Sequence, residues 1–189
     1  MSGVPQPRVR APRYVALIVA AGVIAAATRA GAFCRCARPL RPHCADASAQ
    51  HRITVDVDFT VVDGTVEVLT QSGPYELPVA DLDGKAVLFV LTPRGEVFQG
   101  LPDALPGSIT AGTMHGATAS LTTQAAFLPG EYELALFIDV VPGGGVGPQR
   151  GDLAAFDNTV CDPTGVSVRV AVGCADATVT LENRHFIVF

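Results

Sequence analysis

The side chains able to do chemistry are few and widely spaced. There are four histidines (His43, His51, His115 and His185), five cysteines (Cys34, Cys36, Cys44, Cys161 and Cys174) and 18 acidic residues in a chain of 189. Covalent catalysis needs a hydroxyl or thiol activated by a neighbouring base. His43 stands beside Cys44 only as a chain neighbour. No Gly-x-Ser-x-Gly elbow, His-Glu-x-x-His helix or phosphate-cradling glycine loop occurs. A glycosidase-type carboxylate pair is defined by distance in space, which spacing along the chain does not encode. The residues point to a non-catalytic protein.

The cysteines suit disulfide chemistry better. Cys161 and Cys174 bracket a predicted strand at 166–172, and a bridge between them would tie the loop before it to the turn after it. So short a closure is worth ~3 kcal/mol on the chain-entropy model. The three N-terminal cysteines are odd in number. A second bridge, Cys36–Cys44 or Cys34–Cys44, would leave one thiol free. Cys34, Cys36, His43 and Cys44 also form a set of soft ligands that Zn²⁺ or Cu⁺ could use. Their Cys-x-Cys start fits no common zinc-finger spacing, so a disulfide with a spare thiol is the better reading in an oxidising compartment.

The best metal candidate is Ca²⁺ at Asp139, Asp152 and Asp157, with Asn158 as a further oxygen. Ca²⁺ takes about six to eight oxygens from carboxylates and carbonyls. A flexible loop over 142–151 (PGGGVGPQRG) would let Asp139 and Asp152 meet. The commoner role for such acids is as solvated turn formers, and no cofactor is expected. Asp56, Asp58 and Asp63 read as the exposed face and turn of a hairpin.

The segments that must position these residues begin with an export signal. Residues 1–32 carry Arg8, Arg10, Arg13 and Arg29 and no acid. The uncharged run at 14–27 is about 14 residues long, a length suited to a signal h-region, whereas a membrane-spanning helix needs ~20. Ala30-Gly31-Ala32 offers a small-x-small cleavage site. The expected domains are a signal peptide at 1–32, a Cys- and Pro-rich tether at 33–51 and a β-domain at 52–189. An uncleaved anchor, or lipidation near Cys34, would instead hold the chain on a membrane, but Phe33 stands where a lipobox wants a small residue. A chain starting at Phe33 carries about −9. That charge repels phosphate backbones and argues against nucleic-acid partners.

Residues 52–62 (RITVDVDFTVV) alternate with period two, Ile53, Val55, Val57, Phe59 and Val61 on one face. Asp63-Gly64 is a hairpin turn pair, with the return strand at 65–70. Ser72–Pro74, Asp81–Gly84 and 100–116 read as loops. Residues 86–91 (AVLFVL) are apolar on both faces, as a central, doubly covered strand requires. Further strands are predicted at 117–127, 131–141, 165–172 and 177–182, with HFIVF closing the chain. Eight or nine strands with turn signals between them predict an all-β, immunoglobulin-like, two-sheet antiparallel sandwich. The terminal Phe189 of an alternating strand also permits a small outer-membrane barrel, although aromatic girdles are lacking.

The run GKAVLFVLTPRGEVF followed by AAFLPGEYELALFID resembles the transthyretin-like, or carboxypeptidase-regulatory-like, β-sandwiches of exported bacterial proteins. The shared turn into a core strand is Leu128-Pro129-Gly130-Glu131-Tyr132. The resemblance covers residues 84–141 and implies a non-catalytic accessory or adhesion-type module. Related envelope domains continue with an acidic Phe-x-Asp-x-Asn-Gly-Asp-Gly loop. This chain keeps Phe137, Asp139, Gly151 and Asp152 but replaces the acidic middle with Val140-Val141-Pro142-Gly143-Gly144-Gly145. The functional expectation is an exported structural or partner-binding protein of the cell envelope, periplasm or exterior, whose partner is a protein or glycan. The alternatives are a Ca²⁺- or carbohydrate-binding module using loops 139–158, and the barrel.

Overall fold

A computed structural model describes residues 43–70, 72–93, 104–143, 149–156 and 168–188. The expected signal segment, Cys34, Cys36, Cys161 and Asp157 lie outside them. Among the described residues there are eleven strands. They are β1 (Ile53–Asp58), β2 (Thr65–Thr70), β3 (Gly73–Pro78), β4 (Ala86–Pro93), β5 (Thr110–Thr113), β6 (Thr118–Thr122), β7 (Gly130–Ile138), β8 (Leu153–Phe156), β9 (Arg169–Val172), β10 (Ala177–Leu181) and β11 (Ile187–Val188). One helical turn, α1 (Val79–Leu82), joins β3 to β4.

The strands form two packed sheets, so the fold is an all-β sandwich. The smaller sheet runs β10-β1-β6 and the larger β3-β2-β11-β8-β7-β4-β5. β9 shares an edge of β7 with β8: β8 pairs with Ala135–Ile138 and β9 with Gly130–Glu133. Period-two alternation explains how the sheets meet. Ile53, Val55 and Val57 of β1 and Ala119 and Leu121 of β6 turn inward onto Val87, Phe89 and Leu91 of β4 and Leu134, Leu136 and Ile138 of β7. The outward face of the small sheet is polar: Thr54 bonds Thr122 at 2.8 Å, and the Ser120 hydroxyl donates to Asp56 at 2.6 Å. β4 is buried along its length, as its two apolar faces require. Val90 joins Ala135, Phe137 and Ala154 in a second cluster on the outer face of the large sheet.

Three expectations need correction. The sheets are mixed, because β1 pairs with β10 and β2 with β11 in parallel. The predicted hairpin keeps its turn but not its ladder. Asp63 (φ 50°) and Gly64 (φ 80°) form the left-handed pair, and Val62 and Thr65 exchange two backbone bonds at 2.9 Å. β1 has by then ended at Asp58, and the chain crosses to the other sheet, which leaves Val61 and Val62 exposed. The predicted loops Ser72–Pro74 and 100–116 contribute to β3 and β5. Glycine and proline obscured them, since both are edge strands of the large sheet and tolerate such residues. Neither sheet closes on itself among the described residues, and the interior is apolar. A membrane barrel has the reverse arrangement, so the barrel reading falls.

Candidate functional site

Two ends of the sandwich bear the residues singled out by sequence, and β7 runs between them. At its Gly130 end, Gly130 pairs with Val172 of β9. Cys174 lies two residues on, and it is bonded to Cys44. This replaces the expected Cys161–Cys174 and Cys36–Cys44 bridges, since each cysteine sulfur joins only one disulfide. The physical reason is tertiary. The chain before β1 runs beside the β9–β10 turn: Ala177 donates to the Arg52 carbonyl at 2.9 Å, and Arg52 donates to Asp176 at 2.8 Å. Proximity across 130 residues leaves no trace in local spacing.

Further bonds secure this end. Asp46 accepts from the Ser48 hydroxyl and backbone N–H at 2.6 and 2.8 Å, and these bonds hold its carboxyl below the usual range. His51 exchanges backbone bonds with Phe127 at 2.8 Å. Its Nδ1 lies 3.8 Å from Asp176, while Nε2 is buried with no hydrogen-bond partner among the described residues. The Leu-Pro-Gly-Glu-Tyr turn has a defined job here. The Tyr132 hydroxyl donates to the Leu128 carbonyl at 2.6 Å, a corner common to sandwich folds. Burial raises the Tyr132 pKa, and its ring meets Phe127 edge-on at 5.7 Å.

At the Ile138 end lies a cleft of about 740 Å³. It opens where α1 carries the chain from β3, at one edge of the large sheet, to β4 near the other. The walls are apolar, from Leu77, Val140, Val141, Leu153 and Val188, with the half-exposed Tyr75 at the side. Asp81, Asp83 and Lys85 supply the charges. Asp83 accepts the Gly116 N–H at 2.7 Å. Asp81 is exposed. Lys85, the only lysine of the chain, has no ion-pair partner among the described residues. A volume of this size suits a small molecule or a few side chains.

The cleft wall is set by one of the predicted metal residues. Ile138 pairs with Leu153, and continuing that register by one step sets Asp139 opposite Asp152. Asp152, however, is fully buried and occupied by backbone. Its Oδ1 accepts from the N–H groups of Val140 and Val141 at 3.3 Å each, and its Oδ2 from Gln149 at 3.2 Å. It is a loop organiser that turns Val140–Pro142 onto the cleft. Asp139 Oδ1 is buried without a hydrogen-bond partner among the described residues. No group of three or more His, Cys, Asp or Glu side chains is gathered for a metal among the described residues.

Sequence reasoning missed the cleft. Its residues come from seven separate elements and loops, and the only local signal was the lone lysine just after two acids. Among the described residues no Ser, Thr or Cys side chain bonds to a histidine ring, and no helix is long and apolar enough to cross a membrane. Comparison with protein-family models, with curated proteins and with solved structures finds no match.

Proposed function

We propose that this is an exported, non-catalytic β-sandwich of the cell envelope that binds a protein partner through the cleft at the Ile138 end of β7. The observation that carries the reading is the opposition of cleft and chain entry. Residues 43–52 and the Cys44–Cys174 bridge lie at the Gly130 end. The cleft lies eight residues along the same strand, about 26 Å away at ~3.3 Å per residue. Chain entry and cleft thus occupy opposite ends of β7, which leaves the cleft clear of the entering chain. The disulfide supports an oxidising compartment, and residues 1–32 have the composition of a signal peptide. The resemblance to transthyretin-like accessory domains points the same way.

Fractionation and intact mass of the protein from an exporting host test the reading. The expected species is in the envelope or medium, begins at Phe33 and gains two hydrogens on reduction for the Cys44–Cys174 bridge. A full-length cytoplasmic species with Cys44 and Cys174 reduced would overturn it.

A further inference from the structure

We propose that the cleft takes the basic arm of a second copy of this chain, residues 33–42, so that copies associate head to tail. This rests on the reading above, in which the first 32 residues are removed and the cleft binds protein. Charge is divided sharply along the chain. Residues 43–189 hold all 18 acidic residues and six of the 13 basic ones, a formal −12, while the 42 residues before them hold seven arginines and no acid. The arm FCRCARPLRP contains Arg35, Arg38 and Arg41, with Phe33 and Leu40 as apolar side chains. The cleft offers the complement: apolar walls beside the carboxylates of Asp81 and Asp83, against the single ammonium of Lys85.

Geometry selects a neighbour rather than the same copy. The arm joins the domain at the Gly130 end of β7, where Cys44 is clamped to Cys174. Ten residues span at most ~34 Å when fully extended, so reaching the cleft about 26 Å along the strand would need a taut strap over the surface. A neighbouring copy requires no such stretch. Arm and cleft are different surfaces, so the contact is heterologous, and repeating it gives an open-ended row. Being largely electrostatic and exposed, it weakens with salt.

The test places a photo-reactive phenylalanine analogue at Tyr75 in the full chain, expressed in an exporting host. Tyr75 is 48 % exposed, so the replacement spares the core. The expected result is a product of twice the protomer mass whose peptide map joins position 75 to residues 33–42. Arg35→Glu with Arg38→Glu and Arg41→Glu should lower its yield about tenfold or more, as should Asp81→Arg, each corresponding to ~1.4 kcal/mol. Co-expressing the arm-reversed and cleft-reversed chains should restore it. Matching melting temperatures establish that the variants are folded; Asp81 is exposed and makes no hydrogen bond among the described residues. A doubled product insensitive to the arm substitutions overturns the inference. Crosslinking to a different protein also overturns it but leaves the cleft as a partner site. The absence of any crosslink overturns both.

Discussion

The two ends of the sandwich are built on opposite principles. The Gly130 end is held by links between residues far apart in sequence: Cys44 to Cys174, Arg52 to Asp176 and His51 to Phe127. At the Ile138 end the loop wall of the cleft is held locally, by one buried carboxylate that gathers N–H groups within 12 residues of it. Long-range links fix the place where the chain enters and bear any pull from a tether. A locally built wall can change without disturbing the core, which suits a surface that meets a partner. The comparison predicts that damage at the first end lowers global stability, whereas damage at the second end is felt first at the cleft.

The largest effect should come from the bridge. Replacing Cys44 and Cys174 by serine releases a closure of 130 residues. The chain-entropy model assigns ~5 kcal/mol to such a loop, and removal of native bridges costs about 2–5 kcal/mol. Denaturant midpoints of the double variant and the parent measure it. A loss below about 1 kcal/mol would mean that hydrogen bonds alone hold the entry segment, and the contrast between the ends would collapse.

Asp152→Ala comes next. It strands the N–H groups of Val140, Val141 and Gln149 in a part-buried position, and stranded buried groups cost ~1–3 kcal/mol. We expect about 2–3 kcal/mol, with Asp152→Asn costing less because an amide oxygen still accepts. The same carboxylate decides the calcium question. Its oxygens are committed to backbone, so millimolar Ca²⁺ should leave the melting temperature within about 1 °C. A rise of several degrees would mark binding to the folded state and assign Asp139 and Asp152 to a metal.

How far the sequence carried these conclusions depended on the range of the interaction. Period-two alternation announced β1, β2, β6, β7 and β9, because burial on one face acts residue by residue. The double covering of β4 was equally plain from AVLFVL. The pair Asp63-Gly64 announced its turn, since left-handed backbone favours those residues. What escaped was tertiary. Nothing local marks the parallel pairing of β1 with β10, and the bridge partner of Cys174 follows from that pairing. Spacing favoured Cys161, which is near in sequence; topology chose Cys44. The cleft escaped for the same reason, being defined by where α1 crosses the ends of other strands.

Gly151 sharpens the contrast at the level of one atom. It has φ +102°, and an added Cβ would lie 2.8 Å from Cγ2 of Val141 on the cleft wall. Gly151→Ala combines backbone strain with a collision against a side chain. We expect a cost of about 1–2 kcal/mol and a displaced Val141, read as altered crosslinking from position 75. Gly143→Ala, also at positive φ but with open space around it, should cost less and leave the cleft unchanged. Equal effects at both positions would show that strain alone matters and that Val141 is not tightly placed.

The smallest effect is a pH dependence on the approach to the cleft. His185 closes the turn Asn183–His185 before β11, its Nδ1 accepting the Glu182 N–H at 3.0 Å. The turn directs Phe186 into the core, against Phe59 at 4.7 Å, and leads to Val188 on the cleft. Burial, reinforced by Arg184 and opposed by Glu182, holds the His185 pKa below its ordinary value of 6.5. The folded protein therefore binds this proton less readily than the unfolded chain does. Stability from this residue is complete above pH 6.5, falls as the pH drops from there toward the lowered value and levels off below it. Asp46, exposed at the other end, keeps its contribution above its ordinary 3.8 and loses it as the pH falls from there toward its lowered value. The two acid limbs are thus separated in pH as their residues are in space. Denaturation of the parent and of His185→Gln at pH 7.5 and pH 5 distinguishes them: the parent should weaken between these values, and the variant should lack that loss. An unchanged difference would place the pH-sensitive group elsewhere and detach the turn from the cleft it leads to.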